Sequence, residues 1–545
     1  MARFHEINRR TALVAGASVG ALAALGAPAL AIPPPSPIAL TTNGPVAGNA
    51  VGGAFAFKGI RYGAPPTGAL RFLPPQKPLP WTGINPALNF GPPAMQMPSG
   101  TAGEEPKTPL AQSLQTVYPT LAEWKINSED CLFLNVWTPS GSAAAQRPVM
   151  VWLHGGGFAY GSGAWPAYDG AHLARKGDVV VVTLNHRLNA FGYLELADIF
   201  GADYAQSGNV GMLDIVLALE WVRDNIASFG GDPANVTIFG ESGGGMKVST
   251  LMAMPSAKGL FHKAIVESGP GLKGVTKAEA TADAKAVLAQ LKIADLKTLQ
   301  SAPADEIVKA CFAVAATKGL GEGLRFLAPV VDGAVLPTDP FDPAAPAQSA
   351  EIPLIIGTNK DEMTLFMAGE PWFGKLTDDQ LAAQAPMMAG PNGSAILAAL
   401  RKAHPDYSPT YLLAELITTT FMWSGSVTLA TRKAVQSAPV YMYQLVWETP
   451  IGNGVFKSPH TLEIPFVFDN VEVSRPLLGP GSAPQALADQ MSASWIAFAR
   501  SGNPNNPAIP NWPAYNSAGR ATMMFDVSSR VVDDPYTDVR KALAG

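Results

Sequence analysis

The pentapeptide Gly240-Glu241-Ser242-Gly243-Gly244 follows directly on the apolar run Val236-Thr237-Ile238-Phe239. A strand that runs into a sharp turn of small residues lifts a hydroxyl above the end of a sheet, an arrangement known as a nucleophile elbow. The chemistry it predicts is acyl transfer through Ser242. In a chain with 53 glycines such a pattern also arises by chance, so its partners decide. A second short apolar run, residues 149–153, ends in His154-Gly155-Gly156-Gly157-Phe158. Peptide N–H groups without side chains in the way can approach a developing alkoxide there, and one such donor is worth about 3 kcal/mol of transition-state stabilisation. Gly156, Gly157 and Gly243 are the predicted donors, through their main-chain N–H groups.

Acyl transfer also needs a base and an acid, in the chain order serine, acid, histidine. Three histidines follow Ser242. His262 is too close to the elbow to leave room for the acid, and His404, in Ala403-His404-Pro405-Asp406, reads as solvated surface. His460 follows the strand-like residues 440–446 and a glycine-rich loop over 452–454, so it can return to the sheet's edge on a loop tip. For the acid, residues 353–362 read as a strand and then a turn that carries Asp361 and Glu362, and spacing does not choose between them. No metal or organic cofactor is called for: the seven histidines show no ligand spacing and the two cysteines form no C-x-x-C pair.

Beyond these motifs the chain resembles the type-B carboxylesterase family, which includes bacterial para-nitrobenzyl esterases and the cholinesterases. The likeness rests on Phe229-Gly230-Gly231-Asp232-Pro233 before the elbow and on Glu129-Asp130-Cys131-Leu132-Phe133-Leu134-Asn135-Val136-Trp137. Shorter echoes such as Asn185-His186-Arg187-Leu188 and Asn511-Trp512-Pro513-Ala514-Tyr515 carry it nearly end to end. The resemblance implies an α/β-hydrolase fold and a serine carboxylic-ester hydrolase acting on a small to bulky, mainly apolar ester. It selects Glu362, in Asn359-Lys360-Asp361-Glu362, as the acid and His460, in His460-Thr461-Leu462-Glu463-Ile464-Pro465-Phe466, as the base. It further implies that Ser268 approaches Glu362 and that Arg71 pairs with Glu129 and Arg187 with Asp214. An amide or carbamate hydrolase would use the same triad, and a non-catalytic binding member of the family would lack residues that this chain retains.

Three features depart from the family pattern. Gly243 stands where most active relatives carry alanine, which keeps the N–H but loosens the turn. Lys247 falls in a helix expected to be buried, and the expectation is that it snorkels its ammonium to water. The segment upstream of the Glu129-Asp130-Cys131 signature has alanine where cholinesterase-like relatives place a disulfide partner. Cys131 and Cys311 are therefore expected to be unpaired and the segment 94–128, with Trp124, to be untethered.

These residues need a scaffold, and the pattern supplies one. The runs at 135 and 149, the buried strand of Asp178-Val179-Val180-Val181-Val182 and a helix over 212–226 alternate before the elbow, which predicts a mostly parallel α/β sheet with helices on both faces. Residues 273–342 and 377–433 are helical in pattern with no strand signal, and read as elaborations that wall and lid the site. Phe366, Met367, Trp372, Phe421, Met422 and Trp423 are expected chiefly to pack in the core. With 545 residues, 47% of them hydrophobic, and a net charge of −5, the chain is long enough for a large core and lacks the basic footprint of a nucleic-acid binder. At the start, Arg9-Arg10, an Ala/Gly/Leu-rich run and Ala29-Leu30-Ala31 read as an export signal over residues 1–31, twin-arginine in type with general secretion as the alternative. Residues 32–545 are then the mature domain, periplasmic or secreted and not inserted in a membrane.

Overall fold

In this computed structural model residues 36–97, 127–140, 143–319, 323 and 325–544 are described. The proposed signal segment 1–31 and Trp124 lie outside the described residues. Among the described residues no helix is long and apolar enough to cross a membrane.

Among the described residues eleven strands form the central sheet. In chain order they are β1 (Asn49–Val51), β2 (Ala54–Arg61), β3 (Phe133–Thr138), β4 (Arg147–Leu153), β5 (Val180–Leu184), β6 (Gly231–Glu241), β7 (Lys263–Glu267), β8 (Leu354–Asn359), β9 (Val440–Leu445), β10 (Ala521–Phe525) and β11 (Arg530–Asp533). Their spatial order is β11-β10-β9-β8-β7-β6-β4-β5-β3-β2-β1. The strands from β10 to β5 run parallel, and β11, β3, β2 and β1 pair antiparallel with their neighbours at the two sides.

Helices cover both faces because both faces of the central strands are apolar, as a parallel sheet requires. Along β4, Val149, Val151 and Leu153 point into one core, which includes Ile215 and Leu219 of α2 (Val210–Asn225). Met150 and Trp152 point into the other, with Leu173 of α1 (Ala171–Gly177) and Trp495 of α10 (Ala483–Ser501). Each side chain of this size contributes roughly 1.5–3 kcal/mol when buried.

The register decides where the chemistry sits. Leu153 on β4 pairs with Gly240 on β6, Glu241 on β6 with Glu267 on β7, Glu267 with Gly357 on β8, and Asn359 on β8 with Leu445 on β9. The segments after β4, β6, β7, β8 and β9 therefore all leave the sheet at one edge.

Two helical insertions rise from that edge. The one after β7 contains α4 (Lys277–Leu291) and α5 (Ala304–Ala315), but it also holds a parallel pair, Val275–Thr276 with Val330–Val331, where no strand is expected from the residue pattern. Two residues of pairing are too short to show an alternation. The one after β8 contains α6 (Asp378–Ala389), α7 (Gly393–Ala403), α8 (Pro409–Thr418) and α9 (Ser424–Lys433), around a small core of its own that includes Leu381, Ile396, Leu400 and Leu416. Between α8 and α9 a π-helical turn, Thr419–Trp423, interrupts the helical ladder. Of the segment 94–128, residues 98–126 lie outside the described residues; at its two ends a parallel bridge joins Ala94 to Ser128, whose N–H donates to the Pro93 carbonyl at 2.9 Å.

Candidate active site

Ser242 occupies the turn between β6 and α3 (Gly243–Leu251) with φ +56° and ψ −121°. A serine held in this sparsely populated region is strained by on the order of 1–3 kcal/mol, and neighbouring strands fix it there. Its N–H donates to the Glu267 carbonyl at 2.8 Å and its own carbonyl accepts from Met246 N–H at 3.1 Å. The glycine segment after β4 turns beside it. Gly156 and Gly157 have φ of +83° and +60°, and the Gly156 carbonyl accepts from the N–H groups of Ala159 and Tyr160. The chain packs so closely that a Cβ added at Gly243 would lie 2.2 Å from the Gly157 carbonyl oxygen.

His460 and Glu362 meet at the same edge. The His460 Nδ1 lies 2.5 Å from Glu362 Oε2, and the other carboxylate oxygen accepts from Asn359 N–H at 2.8 Å. Both side chains are buried. This contact distinguishes the two acids that spacing left open. Asp361 turns away, accepting from Ser458 N–H at 3.2 Å, and burial raises its carboxyl to about 7 against the pull of Lys360.

A further carboxylate faces the imidazole. Glu241 Oε1 lies 3.0 Å from His460 Nε2, so each ring nitrogen faces an acid. Burial opposes the imidazolium, but Glu241, Glu362 and then Glu463 outweigh it and raise His460 to about 10. Glu241 is itself raised well above the usual carboxyl range, first by burial and then by Glu463 and Glu362, with His460 acting the other way. The two groups thus compete for one proton, and their titrations belong to the pair. The sequence reading passed over Glu241, although an acid flanking the nucleophile in a turn otherwise made of small residues was a visible signal.

Other expectations need correction. The Ser268 hydroxyl donates to Glu463 Oε1 at 3.3 Å and not to Glu362; Glu463 also accepts from Asn359 Nδ2 at 2.5 Å. Lys247 does not reach water. It is fully buried, and its ammonium donates to the carbonyls of His154 at 3.0 Å and Gly157 at 2.8 Å. Here the carbonyls of a tight loop offer the charge a nearer partner than solvent. His404 is not a solvated side chain but half-buried, with Nε2 2.8 Å from Glu415 and its ring stacked on Tyr407. His262 lies beside Val236, whose N–H it accepts at 3.1 Å, six residues before Ser242. Of the aromatic and methionine residues expected in the core, Met367 and Trp423 are buried, whereas Phe366, Trp372 and Phe421 are exposed; Phe366 lies 5.3 Å from the His460 ring, centroid to centroid.

Both implied ion pairs form: Arg71 with Glu129 at 2.5 Å and Arg187 with Asp214 at 2.7 Å. Cys131 and Cys311 are free and buried. Among the described residues no group of three or more His, Cys, Asp or Glu side chains could hold a metal ion.

A mostly parallel sheet carrying a serine on a strained strand-to-helix turn, with a histidine–carboxylate pair from later loops at the same edge, defines an α/β-hydrolase-fold enzyme. The model of the carboxylesterase family matches residues 35–542. The chain is 36% identical over 514 residues to para-nitrobenzyl esterase of Bacillus subtilis (strain 168), covering 93% of this chain and 98% of that one. It is 35% identical over 499 residues to the liver carboxylesterase of Sus scrofa, covering 84% and 83% respectively. Its structure matches that of carboxylesterase EST55 of Geobacillus stearothermophilus with a TM-score of 0.80 and 37% identity, over 93% of this chain and all of that one. The chain belongs to the carboxylesterase family, and is a serine hydrolase of carboxylic esters.

Proposed function

We propose that Ser242 is the nucleophile, His460 the general base and acid, and Glu362 the group that orients it, with the main-chain N–H groups of Gly156, Gly157 and Gly243 receiving the oxyanion. The observation that carries this reading is the 2.5 Å contact of His460 Nδ1 with Glu362, at the sheet edge from which the strained Ser242 also projects. His460 Nε2 takes the Ser242 proton as Oγ attacks the ester carbonyl, then returns it to the departing alkoxide; Glu362 holds the tautomer and stabilises the imidazolium. Water, activated by the same imidazole, cleaves the acyl-enzyme.

The substrate in this reading is a small to bulky, mainly apolar ester. Its support is the exposed Phe366 ring beside His460, which offers an apolar wall next to the reacting atoms. Export through residues 1–31, with the mature chain starting near Ile32 in the periplasm or outside the cell, is part of the same proposal. It rests on the Arg9-Arg10 pair and the Ala29-Leu30-Ala31 site.

A graded series of para-nitrophenyl acyl esters tests the assignment, with Ser242→Ala run in parallel. Turnover by the parent and a loss of roughly 10⁴-fold or more in the folded variant are expected. Turnover retained by Ser242→Ala would overturn it. Matched ester and amide substrates separate esterase from amidase chemistry by how far each rate depends on protonation of the leaving atom.

A further inference from the structure

Lys247 is an expensive residue in its position. A buried ammonium loses its hydration, a large penalty unless fixed dipoles replace the water, and burial lowers this one to about 7 despite the charge of Glu241. What replaces the water is a pair of carbonyls, those of His154 and Gly157. They belong to the peptides on either side of the two whose N–H groups come from Gly156 and Gly157. Fixing both outer peptides fixes the direction of the two between them. Phe158, whose ring centroid is 5.3 Å from Nζ, closes that side of the ammonium. The titratable groups around it are His154, His186 and Glu241. His154 and His186 stack at 4.9 Å and are both held low by burial and by Lys247, His154 to about 3, so they stay neutral beside it.

A second observation points the same way. A Cβ at Gly243 would meet the oxygen of Gly157 at 2.2 Å and its nitrogen and Cα at 2.5 Å. These atoms are backbone and cannot rotate aside as a side-chain tip would, so the seat of this loop excludes any other residue at position 243. The carbonyl that would strike the methyl is the one drawn in by Lys247.

We propose that Lys247 is a positioning residue for the oxyanion loop: it ties the His154 and Gly157 carbonyls to α3 and so aims the N–H groups of Gly156 and Gly157, and Gly243 is the glycine this seating requires. The proposal rests on the reading of these three glycines as the oxyanion hole.

The test compares the parent with Lys247→Met, Gly243→Ala and the double variant, on a short para-nitrophenyl ester and on a trifluoromethyl ketone. Ser242 Oγ adds to the ketone carbon, its proton passes to His460, and the resulting hemiketal oxyanion occupies the hole. In Lys247→Met, kcat is expected to fall about 10- to 100-fold, the scale of a displacement of catalytic groups by about an ångström. KM should stay nearly constant, and the ketone's Ki should rise by the same factor as kcat falls. Gly243→Ala should lose activity too, and the double variant should lose less than the product of the single losses, because a loop released from Lys247 can retreat from the new methyl. Lys247→Gln, which keeps one amide donor, should give an intermediate loss and serves if Lys247→Met does not fold. Unchanged kcat and Ki in a folded Lys247 variant, wild-type kcat in Gly243→Ala, or strictly multiplicative losses would each overturn the proposal. Failure of the site reading looks different: the parent itself would not bind the ketone tightly, or Ser242→Ala would still turn over.

Discussion

At the scale of single residues the site is governed by who holds one proton. His460 has a carboxylate at each ring nitrogen, yet only Glu362 contacts the nitrogen that needs an orienting acid. In the proposed mechanism His460 acts as base only when neutral, so kcat/KM should fall as pH drops through the titration of the His460–Glu241 pair. Negative charge on Glu241 favours the imidazolium and raises that midpoint. Glu241→Gln removes the charge, and the acid limb of the pH profile should move to lower pH; a limb that stays or moves up would show that Glu241 does not titrate with His460. Glu362→Ala instead should lower kcat by roughly 10⁴-fold across the whole profile, because the imidazole loses its orienting partner. Much of this was legible beforehand. Ser242, the glycines and His460 stand in motifs whose local geometry follows from residue size and chain order. The partners of Glu241 and Lys247 were not legible, since a buried charge is recognised by what surrounds it, and the carbonyls of His154 and Gly157 that hold Lys247 come from another strand's loop.

At the scale of elements, β4, β5, β6, β8 and β9 were readable because their apolar runs are buried on both faces and end in glycine or polar turns, whereas the short β7 was not picked out. Their register was not, although register is what gathers five loops at one edge. The two-residue pair at Val275 and Val330 escaped notice for want of length, and so did the π-helical turn at Thr419–Trp423, whose extra residue per turn leaves no compositional mark. The insertion after β8 has its own small core, so it can hold residues near the site without packing them away. Phe366 is an instance, at 53% exposure beside the His460 ring. Phe366→Ala should therefore change stability by no more than about 0.5 kcal/mol, as for other exposed positions. It should raise KM for bulky apolar esters by roughly 10-fold, the scale of a lost apolar contact, and affect acetate esters less. Equal effects on all chain lengths would remove Phe366 from the substrate-binding wall.

At the scale of the whole molecule, charged and sulfur side chains deep in the core set how the chain tolerates change. Arg187, in the loop after β5, gives Asp214 of α2 three hydrogen bonds, through its main-chain N–H, Nε and Nη2, and donates a fourth to the Leu73 carbonyl. Asp214→Ala leaves that guanidinium buried without its counter-charge, a loss of about 3–5 kcal/mol. The urea midpoint should fall accordingly, and a change under about 1 kcal/mol would mean that the site hydrates at little cost. The thiols make the opposite case. Cys131 and Cys311 are 0% and 2% exposed, and burial raises both, Cys311 to about 12, so almost no thiolate exists at neutral pH. With no disulfide between them, reductant should leave the urea midpoint unchanged. A chromogenic disulfide reagent should find essentially no reactive thiol in the native protein and two, the full complement, once it is unfolded. Because exchange needs the opened chain, the rate at which native protein slowly reacts reads the opening of the regions around α2 and α5, which share one core. Asp214→Ala, which weakens the first of these, should accelerate the reaction at Cys131 more than at Cys311, a difference that peptide mapping of the labelled sites would resolve.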